Sequence, residues 1–503
     1  MLSQPQEPKE KTPRKMKAKT RNKIAAIGAI LLAVSISVTE AETYIPGEGN
    51  FDVSVWQTTG EKPFREILTS PFTVHAYTNR APIDVDAAEV RGRFSWLGVS
   101  MTDASCWLLS RLDPMKRRAL LEAVFSPTKG AGLRGVRLNI GASDYSTAIN
   151  NYNENAGDVE MKMFSVARDD NWVFPMVKEA MSVNPDLFIF AAPWSPPGWM
   201  KTTGNFIDGH FKDGCEQAYA NYLTAYVKAC RDRGIDIRAV TAQNEASLST
   251  RGTYPSCVFS AEQEAAVAKL FAARLKEEGL STVPWLWDHN YNGTDRLVRQ
   301  LDGLGLASVV GGVAWHSYSN GEEKMGELKA KYPDIPFYHT EMGPAKHDPR
   351  RNEQWWAGKL RRAFENGCES FTSWNLCLDA DGQPLVGPHL CMGLVTVDPE
   401  TGDFTPSAQY NVFRHIAPFV KSGAAVLRAE GDRDGMETLL FRNPDGSYVL
   451  VAACSEGRGL KGRKGPDGHE PRPKLYVKCG GEYKHLPLPF GTWSVTTMVF
   501  KTK

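Results

Sequence analysis

Residues 239–245 read Ala-Val-Thr-Ala-Gln-Asn-Glu, a short apolar run that ends in two amides and a carboxylate. A run of this length, flanked by polar residues, is typical of a strand buried on both faces of a parallel sheet. Residues 336–341, Pro-Phe-Tyr-His-Thr-Glu, have the same form and also end in a glutamate. The two segments therefore predict two buried strands, each with a glutamate at its carboxyl end.

The same unit occurs eight times along the chain, and an amphipathic stretch separates successive runs. The eight apolar runs are 97–103, 135–140, 187–194, 239–244, 283–288, 309–315, 336–340 and 370–374. The stretches between them include 114–125, 217–233 and 261–278, where apolar residues lie three and four positions apart as in a helix. Eight alternations of strand and helix predict an α/β fold, a (β/α)8 TIM barrel.

The C-terminal part of the chain has the pattern of a small all-β domain. Short strands are predicted at 436–442, 448–453, 474–478 and 492–500, with the turn Asn443-Pro444-Asp445-Gly446 between the first two. Residues 51–56 alternate between apolar and polar and should supply a further strand to this sheet. The basic, Gly- and Pro-rich segment 457–474 predicts a mobile loop. We expect N-terminal strands in 42–93 that partly join the β-domain, a barrel over 94–420 and a β-sandwich over 421–503.

The first 41 residues have the form of a signal peptide. Residues 1–23 hold eight basic residues, an apolar run follows over 24–38, and Thr39-Glu40-Ala41 places small residues at a cleavage position. The apolar run is shorter than the roughly 20 residues of a membrane span. The pattern predicts a secreted or periplasmic protein, or a membrane-anchored one if the segment is not cleaved.

Charge and cysteine content narrow the class of protein. The net charge is +1, and removal of residues 1–41 leaves about −4, so the chain lacks the basic surface of a nucleic-acid-binding protein. The nine cysteines have no zinc-ligand spacing, and no H-E-x-x-H motif occurs. We expect mostly buried thiols, although the sequence leaves disulfides open. It predicts no metal, no cofactor and no obligate protein partner.

The predicted strand ends bring carboxylates, amides and aromatic residues to one place. In a barrel of this kind the carboxyl ends of the strands form the active-site rim. Glu245 follows strand four and Glu341 ends strand seven, on opposite sides of that rim. A single glutamate at a strand end is more often a solvated charge. Two glutamates at opposed ends favour glycoside hydrolysis, which in a retaining enzyme needs an acid/base and a nucleophile roughly 5–5.5 Å apart.

Several motifs resemble known barrel glycosidases. Gln243-Asn244-Glu245 and His339-Thr340-Glu341 resemble the large clan of retaining enzymes with this barrel. Three further segments resemble glycoside hydrolase family 30, which includes glucosylceramidases. These segments are Thr102-Asp103-Ala104-Ser105, Ser195-Pro196-Pro197-Gly198-Trp199-Met200-Lys201-Thr202 and Trp374-Asn375-Leu376-Cys377-Leu378-Asp379. The resemblance covers roughly residues 51–503.

The resemblance implies roles for individual residues. Glu245 would be the acid/base, and Glu341 the nucleophile. Arg137 would lie beneath Glu341 and keep it ionised, although a structural ion pair explains a strand arginine nearly as well. The implied substrate-binding residues are Asp144, Trp194, Asn244, His316, Tyr318 and Trp374. Among these, Tyr318 would also contact Glu341, while His316 could equally be a buried core histidine.

The substrate is less well defined than the chemistry. Gln383-Pro384-Leu385 departs from the usual family pattern in a loop that shapes the substrate site. The main hypothesis is hydrolysis of β-glucosidic bonds by double displacement, as in a glucosylceramidase or β-glucosidase. Its substrate would be a β-linked glycoside, oligosaccharide or glycolipid. The alternatives are an endo-acting β-1,6-glucanase, galactanase or xylanase of the same family, and an inert carbohydrate-binding protein.

Overall fold

The computed structural model describes residues 52–60, 62–71, 73–74, 81–344, 351–431, 435–454, 475–486 and 493–501. The predicted signal peptide at 1–41 lies outside these residues, as does the whole of the predicted loop at 457–474. In the part that is described, no helix is long and apolar enough to cross a bilayer. The cysteines there form no disulfide, and most of them are buried.

In the described part of the N-terminal region, five strands precede the barrel. They are β1 (Asp52–Thr59), β2 (Arg65–Pro71), β3 (Thr73–Val74), β4 (Ile83–Asp84) and β5 (Glu89–Phe94).

The barrel itself is a closed, eight-stranded parallel sheet, which confirms the predicted fold class. Its strands are β6 (Trp96–Ser100), β7 (Gly135–Ile140), β8 (Phe188–Pro193), β9 (Ile237–Thr241), β10 (Val283–His289), β11 (Gly312–His316), β12 (Phe337–Glu341) and β13 (Cys368–Ser373). These eight strands correspond to the eight apolar runs. The run 97–103 was predicted too long, because the Thr102 side chain accepts a hydrogen bond from Ser105 N and so begins the first helix.

Helices surround the barrel, and one more lies near the C-terminal sheet. They are α1 (Asp103–Arg111), α2 (Pro114–Phe125), α3 (Val173–Val183), α4 (Glu216–Arg231), α5 (Ala261–Glu277), α6 (Thr294–Val298), α7 (Glu322–Lys331), α8 (Glu353–Glu365) and α9 (Ala408–Arg414). Capping explains several starts. Asp113 caps α2 ahead of Pro114, and Ser260 and Gln263 form a capping box on α5.

Aromatic side chains fill the amino-terminal end of the barrel. Trp285 stacks on Tyr338 with ring centroids 4.3 Å apart, and Trp96 packs beside them. Gly135 provides the space for this layer, since a Cβ atom there would collide with the Trp96 ring. The barrel is therefore closed at this end, and its polar residues are at the other end, where the strands terminate.

The remaining strands form the β-domain and a small sheet beside the barrel. They are β14 (Cys377–Leu378), β15 (Val395–Val397), β16 (Phe404–Pro406), β17 (Ala424–Arg428), β18 (Glu437–Arg442), β19 (Tyr448–Cys454), β20 (Leu475–Cys479), β21 (Glu482–Leu486) and β22 (Ser494–Phe500). A seven-stranded sheet has the order β2-β1-β22-β19-β18-β17-β5, and a four-stranded sheet has the order β3-β21-β20-β4. Strand β1, from the N-terminal part, pairs with β22 antiparallel from Val53–Phe500 to Thr59–Ser494.

The seven-stranded sheet packs on both faces. Leu440 and Leu450 belong to an apolar cluster shared with the four-stranded sheet. Their neighbours Leu439 and Val449 belong instead to the main core that includes the barrel. Because successive strand residues point to opposite faces, this sheet is sandwiched between the second sheet and the barrel.

We expect the substitution Phe441→Ala to destabilise the whole chain. Phe441 is fully buried, and its ring lies 5.7 Å from that of Phe94 and 6.0 Å from that of Phe364 on α8. Loss of such a ring costs about 3–5 kcal/mol, which urea unfolding would measure. Met115→Ala is the control, since Met115 is 82% exposed on α2 and should change the free energy of unfolding by less than about 0.5 kcal/mol. Equal effects of the two substitutions would contradict the shared core.

Candidate active site

The predicted site residues gather at the carboxyl ends of the barrel strands. Glu341 ends β12 and His316 ends β11, while Arg137 lies inside β7. Asp144, Trp194, Asn244, Glu245, Tyr318 and Trp374 lie in the loops that follow strands of the barrel. The side chains of Arg137, Asn244, Glu245, His316, Tyr318 and Glu341 are joined by the hydrogen bonds described below.

The backbone at this rim is strained. Glu245, Trp287, Asp288 and Asn375 have φ values of 51°, 77°, 51° and 58°. Residues other than glycine adopt the left-handed region at a cost of about 1–3 kcal/mol, and they do so mainly at functional sites. The amide of Glu245 donates to the Asp288 carbonyl at 3.0 Å, which fixes the two strained residues against each other.

Arg137 is the buried cation at the centre of the site. Its guanidinium donates to Glu341 Oε2, and to Asn244 Oδ1 and Asp288 Oδ2 at 2.8 Å each. Burial alone would lower the pKa of Arg137, but Asp288 and Glu341 outweigh it and raise the pKa. The arginine therefore stays charged, and it holds Glu341, Asn244 and Asp288 in place.

Tyr318 completes the environment of Glu341. Its hydroxyl donates to Glu341 Oε1 at 2.9 Å, so each oxygen of this carboxyl group has a donor. The side chain of Glu341 remains slightly exposed, and Tyr318 is 39% exposed. Glu341 is thus a fixed carboxylate that borders the open end of the site.

His316 lies between the two glutamates. Its Nδ1 is 3.1 Å from Glu245 Oε1, and its Nε2 is 3.0 Å from Asp288 Oδ1 and 3.9 Å from Glu341 Oε2. Burial lowers the pKa of His316, but Glu341 and the hydrogen bonds to Asp288 and Glu245 raise it to about 9. The ring is therefore an imidazolium at neutral pH, and both of its N–H groups donate to carboxylates.

Glu245 has a different environment from Glu341. Its Oε1 is 3.1 Å from both His316 Nδ1 and His289 Nδ1. Burial raises the pKa of Glu245, but the hydrogen bonds from the two histidines outweigh burial and hold the pKa well below its usual range. The proton shared by Glu245 and His316 consequently lies on the imidazole when no substrate is bound.

Two tryptophans and an aspartate form the wall of the site. The rings of Trp194 and Trp374 are stacked at 5.1 Å, and the Arg137 guanidinium lies 4.8 Å from the Trp194 ring. Asp144 is nearly buried, and no described residue donates a hydrogen bond to its Oδ1. Burial, with Glu341 and Glu245 nearby, raises the pKa of Asp144. An unpaired carboxyl oxygen in this position is suited to a ligand hydroxyl.

The motif Ser195 to Thr202 has a structural role through Lys201. Its ammonium donates to Ser195 Oγ, to Phe206 O and to Ser256 O at 2.8, 2.6 and 2.7 Å. Burial lowers the pKa of Lys201 to about 8. All three ammonium hydrogens are used, so this lysine holds the loop after β8 against the loop after β9.

The model of the Glycosyl hydrolase family 30 TIM-barrel domain matches residues 94–421. The chain belongs to glycosyl hydrolase family 30. This family 30 chain is accordingly an O-glycosyl hydrolase, which confirms the resemblance seen in its motifs.

Relatives of this family 30 enzyme include proteins named as endo-1,6-β-D-glucanases and proteins named as glucosylceramidases. An endo-1,6-β-D-glucanase of Neurospora crassa is 28% identical over 70% of the chain and 77% of its own length. A putative glucosylceramidase 1 of Caenorhabditis elegans is 27% identical over 78% of the chain and 79% of its own length. Among solved structures, an endo-β1,6-glucanase superimposes with a TM-score of 0.77 at 25% identity, over 90% of the chain and all of that structure.

The family motifs did not indicate two residues that complete the site. Asp288 accepts hydrogen bonds from Arg137, from His316 and from Thr340 Oγ1 at 2.6 Å. His289 contacts Glu245. Asp288 ends the fifth apolar run and His289 follows it directly. In a regular strand, however, two adjacent side chains point in opposite directions. A register shift between Trp287 and His289 turns both toward the site.

The imidazolium of His316 predicts a dependence of stability on pH. The pKa is about 9 in the folded chain and about 6.5 in the unfolded chain. The stabilisation is therefore complete below about pH 6.5 and is lost as the pH rises through 9. Urea unfolding should show the free energy of unfolding falling more steeply between pH 7 and 10 in the wild type than in His316→Gln.

Substitution of a surface histidine provides the control for this measurement. His210 is exposed, and His210→Gln should keep the wild-type slope. Parallel pH profiles for wild type and His316→Gln would rule out a protonated His316 at neutral pH.

Proposed function

We propose that this family 30 enzyme is a retaining hydrolase that releases single glucose units from β-linked glucosyl substrates. The observation that carries the proposal is the position of His316 between Glu245 and Glu341. The ring of His316 lies 3.1 Å from the Glu245 carboxyl group and 3.9 Å from that of Glu341, so both glutamates lie close to one imidazole. Their partners differ, as the two roles in glycoside hydrolysis require.

Glu341 is suited to be the nucleophile. Its carboxylate is held on one oxygen by Arg137 and on the other by Tyr318. The two contacts fix the direction from which this group can attack an anomeric carbon. The hydrogen bond from Tyr318 can weaken as charge leaves the carboxylate during formation of the glycosyl-enzyme bond.

Glu245 is suited to be the acid/base through its link to His316. A general acid must carry a proton when the substrate is bound, whereas the histidines lower the pKa of Glu245 in the free site. The proton on His316 Nδ1 lies one hydrogen bond away from Glu245 Oε1. Transfer of that proton to Glu245 gives the protonated carboxyl group that a general acid requires. After glycosylation the carboxylate can activate water, and the ring then takes the proton back.

Glucose is the sugar that the relatives' names share. Both 1,6-β-D-glucanases and glucosylceramidases act on substrates with glucosyl groups, as their names state. The unpaired Oδ1 of Asp144 and the wall formed by Trp194 and Trp374 provide a polar and an apolar surface for one such ring. A site that pairs specific hydroxyls rejects epimers, because a misplaced hydroxyl leaves a buried partner unsatisfied at about 1–3 kcal/mol.

The loop that contains residues 382–392 favours a closed pocket. The amides of Val386 and Gly387 donate to the Asp144 carbonyl at 2.8 and 3.2 Å. A Cβ atom on Gly387 would lie 2.7 Å from Asp144 Cβ and 3.6 Å from Tyr254 Cβ. The loop therefore sits directly against Asp144, which leaves little space beyond the first sugar and supports release of single units.

An endo-acting β-1,6-glucanase is the second candidate. It is favoured by the Neurospora crassa relative and by the solved endo-β1,6-glucanase with a TM-score of 0.77. The chemistry at Glu245 and Glu341 is the same in both candidates, and only the length of the released product differs.

Substitution of the two glutamates should have different effects. Glu341→Gln should lower kcat/KM on every substrate by at least about four orders of magnitude, because no glycosyl-enzyme bond can form. Glu245→Ala should slow natural β-glucosides by about 10²–10⁴-fold, but should largely spare the first step with aryl glucosides that have acidic phenols. Added azide should restore turnover of Glu245→Ala and yield the β-glucosyl azide.

The matched control is Glu323→Gln, on the exposed side of α7, which should leave activity unchanged. Equal losses of Glu245→Ala on natural and aryl substrates would contradict the acid role. An α-glucosyl azide would contradict double displacement.

Product size distinguishes the two candidate substrates. A linear β-1,6-glucan oligosaccharide labelled at its reducing end should release unlabelled glucose from the earliest time point, since the loop against Asp144 blocks a second sugar. Chromatography of early samples would measure this. Early di- and trisaccharides would replace the exo proposal with the endo-glucanase.

A further inference from the structure

Within the described residues, the side chains of Glu245, His289 and His316 form a group of three metal-capable donors. Their nearest donor atoms all lie within 4.8 Å of one another. We propose that these three residues form a binding site for a borderline-soft divalent cation such as Zn²⁺ or Cu²⁺. Occupation of the site would take the Glu245 carboxylate out of the reaction.

The separations between donor atoms are close to those of a tetrahedral metal site. With metal–ligand bonds of about 2.0–2.1 Å, neighbouring donors in a tetrahedron lie about 3.3 Å apart. Glu245 Oε1 is 3.1 Å from His289 Nδ1 and 3.1 Å from His316 Nδ1. The donor nitrogens of the two imidazoles lie within 4.8 Å of each other.

Neighbouring residues orient one of the metal-ligand side chains by hydrogen bonds, as they do in many metal sites. A metal-binding imidazole usually donates its second N–H to a carboxylate, which fixes the ring. His316 Nε2 has this contact with Asp288 Oδ1 at 3.0 Å. Asp288 in turn accepts hydrogen bonds from Thr241 and Thr340 at 2.8 and 2.6 Å. One of the two imidazoles is therefore already oriented.

The backbone directs the second imidazole to the same carboxylate. In an uninterrupted strand, Asp288 and His289 would point to opposite faces. The left-handed conformations of Trp287 and Asp288 and the register shift beside them bring His289 Nδ1 to Glu245. The strained backbone at the end of β10 therefore lies where His289 and His316 both contact the same Glu245 oxygen.

The donor set selects the class of cation. Mg²⁺ and Ca²⁺ prefer shells of oxygen atoms, whereas imidazole suits Zn²⁺, Cu²⁺ and Ni²⁺. The Glu245 side chain is 13% exposed, so the site can be reached from the pocket. Three protein ligands leave a fourth position for water. Inhibition by the cation rests on the acid/base role proposed for Glu245, but binding of the cation does not.

Calorimetric titration of Zn²⁺ into the full, untagged chain at pH 8 tests binding directly; the metal must displace the proton on His316 Nδ1, so binding should release a proton to the buffer. Wild type should bind at a single tight site, and His289→Asn should bind at least tenfold more weakly. His210→Gln removes an exposed imidazole instead and should keep the wild-type affinity. Glu245→Gln, which removes the carboxylate ligand and keeps both imidazoles, should also bind at least tenfold more weakly.

Two further measurements separate binding from function and from folding. Electron paramagnetic resonance of the Cu²⁺ complex should show coupling to two imidazole nitrogens in wild type and to one in His289→Asn. Zn²⁺ should inhibit glucoside hydrolysis reversibly, with activity restored by EDTA. Thermal unfolding without metal shows whether each variant is folded. Equal Zn²⁺ affinity of folded His289→Asn and wild type would overturn the proposal, as would the absence of a tight site in wild type. If the wild-type protein does not hydrolyse glucosides, the proposed function is wrong, but calorimetry and electron paramagnetic resonance still decide whether the cation binds.

Discussion

A single buried cation, Arg137, sets the arrangement of the site. Removing a guanidinium from water costs several kcal/mol unless charges and hydrogen bonds replace the solvent. Here Glu341, Asp288 and Asn244 supply them, from the ends of β12 and β10 and from the loop after β9. The cation therefore joins these regions to β7, and loss of either carboxylate partner would leave its buried charge less well compensated. The geometry of the candidate active site therefore follows from the solvation of one arginine.

The same cation distributes charge among the surrounding carboxyls. Burial raises the pKa of Asp288 and of Glu245, but Arg137 and His316 outweigh it at Asp288, and His289 and His316 outweigh it at Glu245, so both pKa values lie below their usual range. Asp144 lies outside the hydrogen bonds of Arg137 and His316, and burial raises its pKa. A carboxyl group whose neutral form is favoured can donate a hydrogen bond as well as accept one. Acidic residues of similar intrinsic pKa thus acquire distinct properties from their contacts alone.

The parts of this structure that depend on periodicity were predictable from sequence. The eight buried runs became the eight barrel strands, and Glu245 and Glu341 were identified because each follows such a run. Local departures from periodicity were not predictable. The register shift between Trp287 and His289 occurs in the pairing of β10 with β11, and the sequence pattern of β10 alone does not reveal that both Asp288 and His289 turn toward the site. The approach of Gly387 to Asp144 likewise depends on how a long loop folds back over the barrel.

The pairing of β1 with β22 has a consequence for the order of events during synthesis. Val53 pairs with Phe500, almost the whole length of the chain apart. At about 5–20 residues per second, the ribosome completes β22 roughly 20–90 s after β1 has emerged. During that interval the backbone N–H and C=O groups of β1 that will pair with β22 have no native partner. They form an open strand edge that other nascent chains can contact. The pairing of β1 with β22 can form only when translation is nearly finished, so one side of β1 must stay unpaired with its native partner for almost the whole of synthesis.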